Sequence, residues 1–162
     1  MPLNPEISRF IREHLDDNPD QLLWKKNEYP DDRVVVAVEQ IQARENIKEK
    51  LPSWYACQNI FYPSKLSTEQ CSSETTAPYK ARLTTGNSLC DLTGGLGVDT
   101  YFFSQQVDKV TYVERDKSYC EAARFNFLAL GATNIEVIHA DATTVASQII
   151  ADTYYIDPAR RT

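Results

Sequence analysis

The period of the hydrophobic positions changes near the middle of the chain. In the first half Ile7, Phe10, Ile11 and Leu15 recur at helical spacing, which predicts a short amphipathic helix over about 5–16. Leu22, Leu23 and Trp24 mark a second short helix. Asp31 or Asp32 is placed to cap a longer helix over about 33–50, in which Val34, Val38, Ile41, Glu45 and Lys48 share one face. That face turns polar toward its C-terminal end, and Pro52 stops the helix. A further helix start is predicted at Leu66 to Cys71, with Ser67 and Gln70 as a capping box and Leu66 and Cys71 as a hydrophobic staple. Pro78 breaks or restarts that helical stretch.

The second half alternates short apolar runs with helical patterns. The runs are Ser88–Leu92, Lys109–Glu114, Ile135–His139 and Thr153–Asp157. Between them lie a helix from Val98 to about Gln106, one capped by Asp116 and stopped by Gly131, and a helical stretch from Ala142 to about Ile150. Strands separated by single helices imply right-handed crossovers and a parallel sheet, so the fold class is α/β. All five glycines occur from Gly86 onward. Every proline but Pro158 precedes it. The turn-type cluster Thr84-Thr85-Gly86-Asn87 therefore divides a helical region, 1–85, from a sheet-containing region, 86–162.

Composition narrows the class. The chain has 162 residues, 42% hydrophobic and 25% charged, the balance of an ordinary globular domain. No apolar run approaches the length of a membrane span, and no signal peptide is visible at the N-terminus. With 17 basic against 23 acidic residues the net charge is −6, which argues against a surface that is nucleic-acid footprint throughout. Cys57, Cys71, Cys90 and Cys120 are widely spaced, and the histidines are too few for a zinc site. The expectation is free thiols in a reducing cytoplasm.

The chemistry concentrates at the strand ends. Asp91, Glu114, Asp141 and Asp157 each stand at or just past the C-terminal end of one predicted strand. In a doubly wound sheet ligands bind outside those ends. Any one of these acids is explained as a helix cap or a solvated loop residue; four in register are harder to explain so. The turn after the first strand, Asp91-Leu92-Thr93-Gly94-Gly95-Leu96-Gly97, lets backbone approach a ligand closely. A dinucleotide fingerprint would need a third glycine where Thr100 stands, and a pyrophosphate would be poorly served by Asp91 beside the turn. A carboxylate there suits a cationic ligand.

This set of motifs resembles the class I, Rossmann-like methyltransferases that use S-adenosylmethionine. The resemblance covers about 86–162. It implies that Asp91, Thr93, Gly95 and Gly97 hold the methionine end of the cofactor, that Glu114 takes the ribose hydroxyls, and that Asp141 lies near the adenine. Asp157-Pro158-Ala159-Arg160 is similar to the segment beside the transferred methyl, with Ala159 in place of a second proline, so Asp157, Pro158 and Arg160 are the implied catalytic residues. A closer resemblance runs through LSTEQCSSETTAPYKARL, DLTGGLGVDTYFFS, YVERD and YIDPARR. It is to a bacterial family of methyltransferase-like proteins with a helical N-terminal region and C-terminal ferredoxin-like and THUMP-like segments. THUMP domains bind RNA, so that family implies RNA as the substrate class.

A full class I sheet has more strands than these four, so the chain is expected to be a truncated Rossmann-like domain, an N-terminal fragment. Its fourth strand is then expected to be an exposed edge that pairs with another chain or is covered by the N-terminal helices. The alternative to an enzyme is a cofactor-binding or interaction module without turnover. Cys90 and Cys120 are expected to pack rather than react. Trp54, Tyr55, Phe61 and Tyr62 are expected to form core, with stacking on an unpaired base as the alternative.

Overall fold

In the computed structural model, residues 4–29 and 31–158 are described. Helix α1 (Pro5–Glu13) is capped by the Asn4 side chain, which accepts from the Glu6 amide. Asn18 does the same for α2 (Pro19–Trp24). Helix α3 (Arg33–Ile47) ends three residues earlier than its pattern predicts. Asp32 sits at its cap position without a side-chain bond there, while Asp31 Oδ1 accepts from the Arg33 amide at 3.1 Å and Arg33 Nε at 2.7 Å. Phe10, Ile11, Leu15, Leu22, Val34 and Ile41 close a separate apolar cluster among these helices.

Helix α4 (Pro52–Ala56) is followed by α5 (Lys65–Gln70) and α6 (Thr76–Ala81). The cap of α5 corrects the expected one. Ser64, not Ser67, accepts from the Ser67 amide at 3.0 Å, and Leu66 is about half exposed rather than stapled. Both serines are residue types that cap helices, but the earlier one has the extended backbone that a cap requires. Pro78 lies in the first turn of α6, where a missing N–H costs nothing, so the helix restarts two residues before it.

The sheet is four-stranded and all parallel, in the order β3-β2-β1-β4, with β1 Ser88–Asp91, β2 Lys109–Glu114, β3 Ile135–His139 and β4 Thr153–Tyr155. The central strands β1 and β2 are buried almost throughout, whereas β3 and β4 are only partly buried. Helices α7 (Val98–Phe103) and α8 (Lys117–Ala129) make the first two crossovers. The third is one turn, α9 (Ala142–Val145), then a short 3-10 segment, Ala146–Gln148, so the long helix expected there does not form. β4 stops at Tyr155 rather than Asp157. Its register is set from β1, through Leu89 with Thr153 and Asp91 with Tyr155, and among the described residues it pairs with no other strand.

The core does not break at residue 85. Ala43, Ile47, Leu51, Trp54, Tyr62, Ala77 and Ala81 from the helical region pack in one cluster with Leu89, Val98, Phe103 and Val110. Trp54 and Tyr62 are core, as expected of the aromatic cluster, and Tyr55 lies under the Arg44 guanidinium at 3.9 Å. The irregular segment at Phe61–Tyr62 is gripped from both sides. Gln40 on α3 makes two bonds to the Tyr62 backbone at 2.8 and 2.9 Å, and Asn126 on α8 makes two to the Phe61 backbone at 2.8 Å each. Asn126 is fully buried, so its loss strands both Phe61 groups. Asn126→Ala is expected to lower the unfolding free energy by about 2 kcal/mol, as measured by urea denaturation. A change within error would mean that water replaces the clamp.

Candidate functional site at the carboxyl ends of the strands

The parallel sheet brings the ends of β1, β2, β3 and β4 to one side, and the turn 92–97 rises between β1 and α7. Its height is set by rings beneath it. A Cβ added to Gly94 would lie 2.2 Å from the Tyr112 ring, and one added to Gly97, where φ is +87°, would lie 2.7 Å from Phe127. Tyr112 OH donates to the Gly95 carbonyl at 2.6 Å, and Glu114 Oε2 accepts from the Gly95 amide at 3.0 Å. Alternate residues of β2 therefore hold both polar groups of Gly95. The side of Gly95 away from these rings is open, since an added Cβ would meet only Thr93 O at 3.8 Å.

Asp91 is placed differently from its neighbours. It is 1% exposed, with Oδ1 accepting from the Thr93 amide at 3.0 Å and Oδ2 from the Thr100 hydroxyl at 2.6 Å. Burial is the dominant influence and pushes its pKa up to about 6, against the opposing bonds from Thr100 and Thr93. It does not line an open crevice; it ties the turn to α7. Glu114, half-buried, spends its second oxygen on the Asp116 amide at 2.8 Å. Asp157 is exposed, and its amide donates to Thr93 Oγ1 at 2.8 Å. Thr93 thus connects Asp91 to Asp157. Asp141 is exposed and caps α9, accepting from the Thr143 hydroxyl at 2.6 Å and amide at 2.8 Å; these bonds hold its pKa below the usual carboxylate range. It shares no hydrogen-bond partner with the other three acids. Pro158 is exposed, and Arg160 lies outside the described residues.

No protein-family model matches the chain, and no curated protein matches it. Among solved structures it is similar to the crystal structure of a "putative methyltransferase from Porphyromonas gingivalis W83", at 31% identity and a TM-score of 0.84. The similarity covers 96% of this chain and 40% of that one, so the chain spans less than half the length of the protein it resembles. The fold is that of a Rossmann-like methyltransferase.

Four residues that shape the site had no clear signal in the sequence. In the sequence Thr100 only stands where a dinucleotide fingerprint needs glycine, yet its hydroxyl holds Asp91. Tyr112 and Phe127 set the turn, and the alternation in β2 does place Tyr112 on the face of Glu114. The fourth is Lys80, which reaches Asp157 at 3.3 Å. Neither Cys90 nor Cys120 is a nucleophile candidate. Both are fully buried with pKa values raised mainly by burial, Cys90 to about 11. Among the described residues no cluster of ligating side chains is placed to hold a metal ion, and no helix is long and apolar enough to cross a membrane.

Two outcomes test this geometry. Gly97→Ala is expected to destabilise the fold by about 2 kcal/mol or more, because left-handed strain adds to a clash with Phe127, and chemical denaturation measures it. Asp91 predicts a pH effect. Its folded pKa lies above the unfolded value, so its contribution is fully present below about pH 4 and is lost as pH rises through about 6. Asp91→Asn should remove about 3 kcal/mol of that decline. Identical pH profiles for the two chains would show that Asp91 is not the titrating group.

Proposed function

We propose that the protein is an S-adenosylmethionine-dependent methyltransferase, and that its acceptor is RNA. The observation that carries this reading is the pairing of Glu114 with the open backbone of Gly95 at the end of β2. A carboxylate has further lone pairs beyond those given to Gly95 and Asp116, so Glu114 can accept from a vicinal diol. The residues fit the cofactor in charge as well. Glu114, Asp157 and Asp141 offer carboxylates at the strand ends, where a cation is favoured and a polyphosphate is not.

When bound, the cofactor supplies an electrophilic methyl group on a sulfonium. Within the reading, the Thr93–Gly97 turn and Glu114 orient it, and Asp91 acts by holding that turn rather than by touching the ligand. Asp141 stands toward the adenine side. Asp157 and Pro158 orient the acceptor, and by the family resemblance Arg160 contacts a phosphate or carboxylate on it. Alignment of an acceptor atom with the methyl is the main catalytic demand in such a displacement. RNA as acceptor is supported by the family resemblance of the YIDPARR and DLTGGLG stretches, not by the charge of this chain. The free cysteines fit a cytoplasmic location. The outer edge of β4 is a surface through which two copies would pair, to be read by light scattering.

Calorimetric titration with S-adenosylmethionine tests the reading. We expect saturable binding that Glu114→Ala weakens about tenfold or more, with the unfolding transition little changed. Binding without any transfer to total RNA would favour the non-catalytic module. No binding by the parent chain would reject the cofactor assignment for this chain.

A further inference from the structure

The stretch 66–83 carries part of the family resemblance, yet the proposed reaction as described above gives it no role. It delivers one cation to the site. Lys80 Nζ, on α6, donates to Ser72 Oγ at 2.9 Å and to Tyr155 OH at 2.6 Å. It also lies 3.2 Å from Asp99 Oδ2 and 3.3 Å from Asp157 Oδ2. The Tyr155 hydroxyl is itself 3.2 Å from each of those carboxylate oxygens, and Ser72 Oγ donates to Asp99 Oδ2 at 2.9 Å. Helix α6, the loop after α5, the first turn of α7 and the end of β4 all meet at this ammonium.

Apolar packing alone would not call for this arrangement. The Lys80 and Asp99 side chains are only 24% and 15% exposed, and withdrawing charges from water costs several kcal/mol unless they are paired. Asp99 and Asp157 repel each other without a cation between them, and among the described residues no other cation pairs with either. The Tyr155 phenol stays protonated, its pKa raised by burial first and then by Asp99 and Asp157. The contact also continues into the turn, since the Asp157 amide is held by Thr93 Oγ1, and Thr93 by Asp91.

We propose that Lys80 is a positioning residue, supplied by the helical region, that holds Asp157 and the segment after β4 in register with the Thr93–Gly97 turn. The acceptor side and the cofactor side of the site are then one mechanical unit. This inference rests on reading the strand ends as a methyl-transfer site, but its first test does not need the cofactor.

The experiment compares Lys80→Met and Lys80→Arg with the parent chain by amide hydrogen exchange, with β1 amides as the internal control for folding. In Lys80→Met the Asp157 amide is expected to exchange about tenfold faster while β1 is unchanged, and Lys80→Arg should restore most of the protection. Tyr155→Phe, which keeps the ring against Phe103, removes the hydroxyl hub and should loosen Asp157 severalfold even if the methionine variant fails to fold. Unchanged Asp157 exchange in the folded variants overturns the proposal. With S-adenosylmethionine and total RNA, Lys80→Met should keep the cofactor dissociation constant within about threefold and lose about tenfold in transfer. Equal losses in both would make Lys80 part of the cofactor site and overturn the positioning role. If the parent chain binds no cofactor, the methyltransferase reading fails and the exchange result still decides the clamp.

Discussion

The structure of the site depends on how closely a backbone turn can approach two aromatic rings. Tyr112 and Phe127 fill the space beneath Gly94 and Gly97, and only residues without a Cβ can lie at those two positions. The turn cannot sink further, because the rings are themselves buried, and it cannot rise, because Tyr112 and Glu114 hold the carbonyl and amide of Gly95. Both restraints come from β2, two residues apart and so on one face of the sheet. The same strand that carries the Glu114 carboxylate thus fixes the height of the loop beside it. A shift of β2 by one residue would turn that face away and lose both functions together.

Most of the sheet was legible because its signals are local. The limits of β2 and β3 follow from their apolar runs and flanking turns, and Gly131 ends α8 as a residue with positive φ does. The strand-end acids were also legible as positions. Their environments were not, because those come from partners distant in sequence. Asp91 looks like its neighbours in the sequence and differs because it is buried under the turn, where Thr100 returns to it from α7. Asn126 grips a backbone 65 residues away, and Lys80 meets Asp157 across 77. No periodicity carries such information, since a polar residue on a helix reads as solvated until its partner is known. The misassigned cap of α5 has a different cause. Ser67 has the better pattern, with Gln70 three residues on, and only backbone geometry shows that Ser64 is the cap.

The helical region is structural material for the sheet and not an appendage to it. Phe61 and Tyr62 have no regular structure of their own, and their backbone polar groups are satisfied by amide side chains from α3 on one side and α8 on the other. That is an economical way to bury an irregular strap, because each amide gives one donor and one acceptor in a fixed geometry. It also means that α3 and α8 cannot move independently. Since α8 also carries Phe127 beneath Gly97, one helix holds both the strap and the floor of the turn.

Electrostatics then separates the chemistries the site can serve. Asp91, Asp99, Glu114 and Asp157 surround the turn and its neighbouring segment, and among the described residues Lys80 is the cation held between two of them. A nucleotide pyrophosphate entering here would meet more carboxylates than the single ammonium of Lys80 offsets. A ligand with a sulfonium and an ammonium meets the opposite situation. Asp99 adds a further negative charge in the first turn of α7, where an anionic ligand would otherwise be favoured. The acidic balance of the chain as a whole, net −6, is thus also the balance at this place. Recognition of an RNA acceptor would then require basic surface apart from the turn itself.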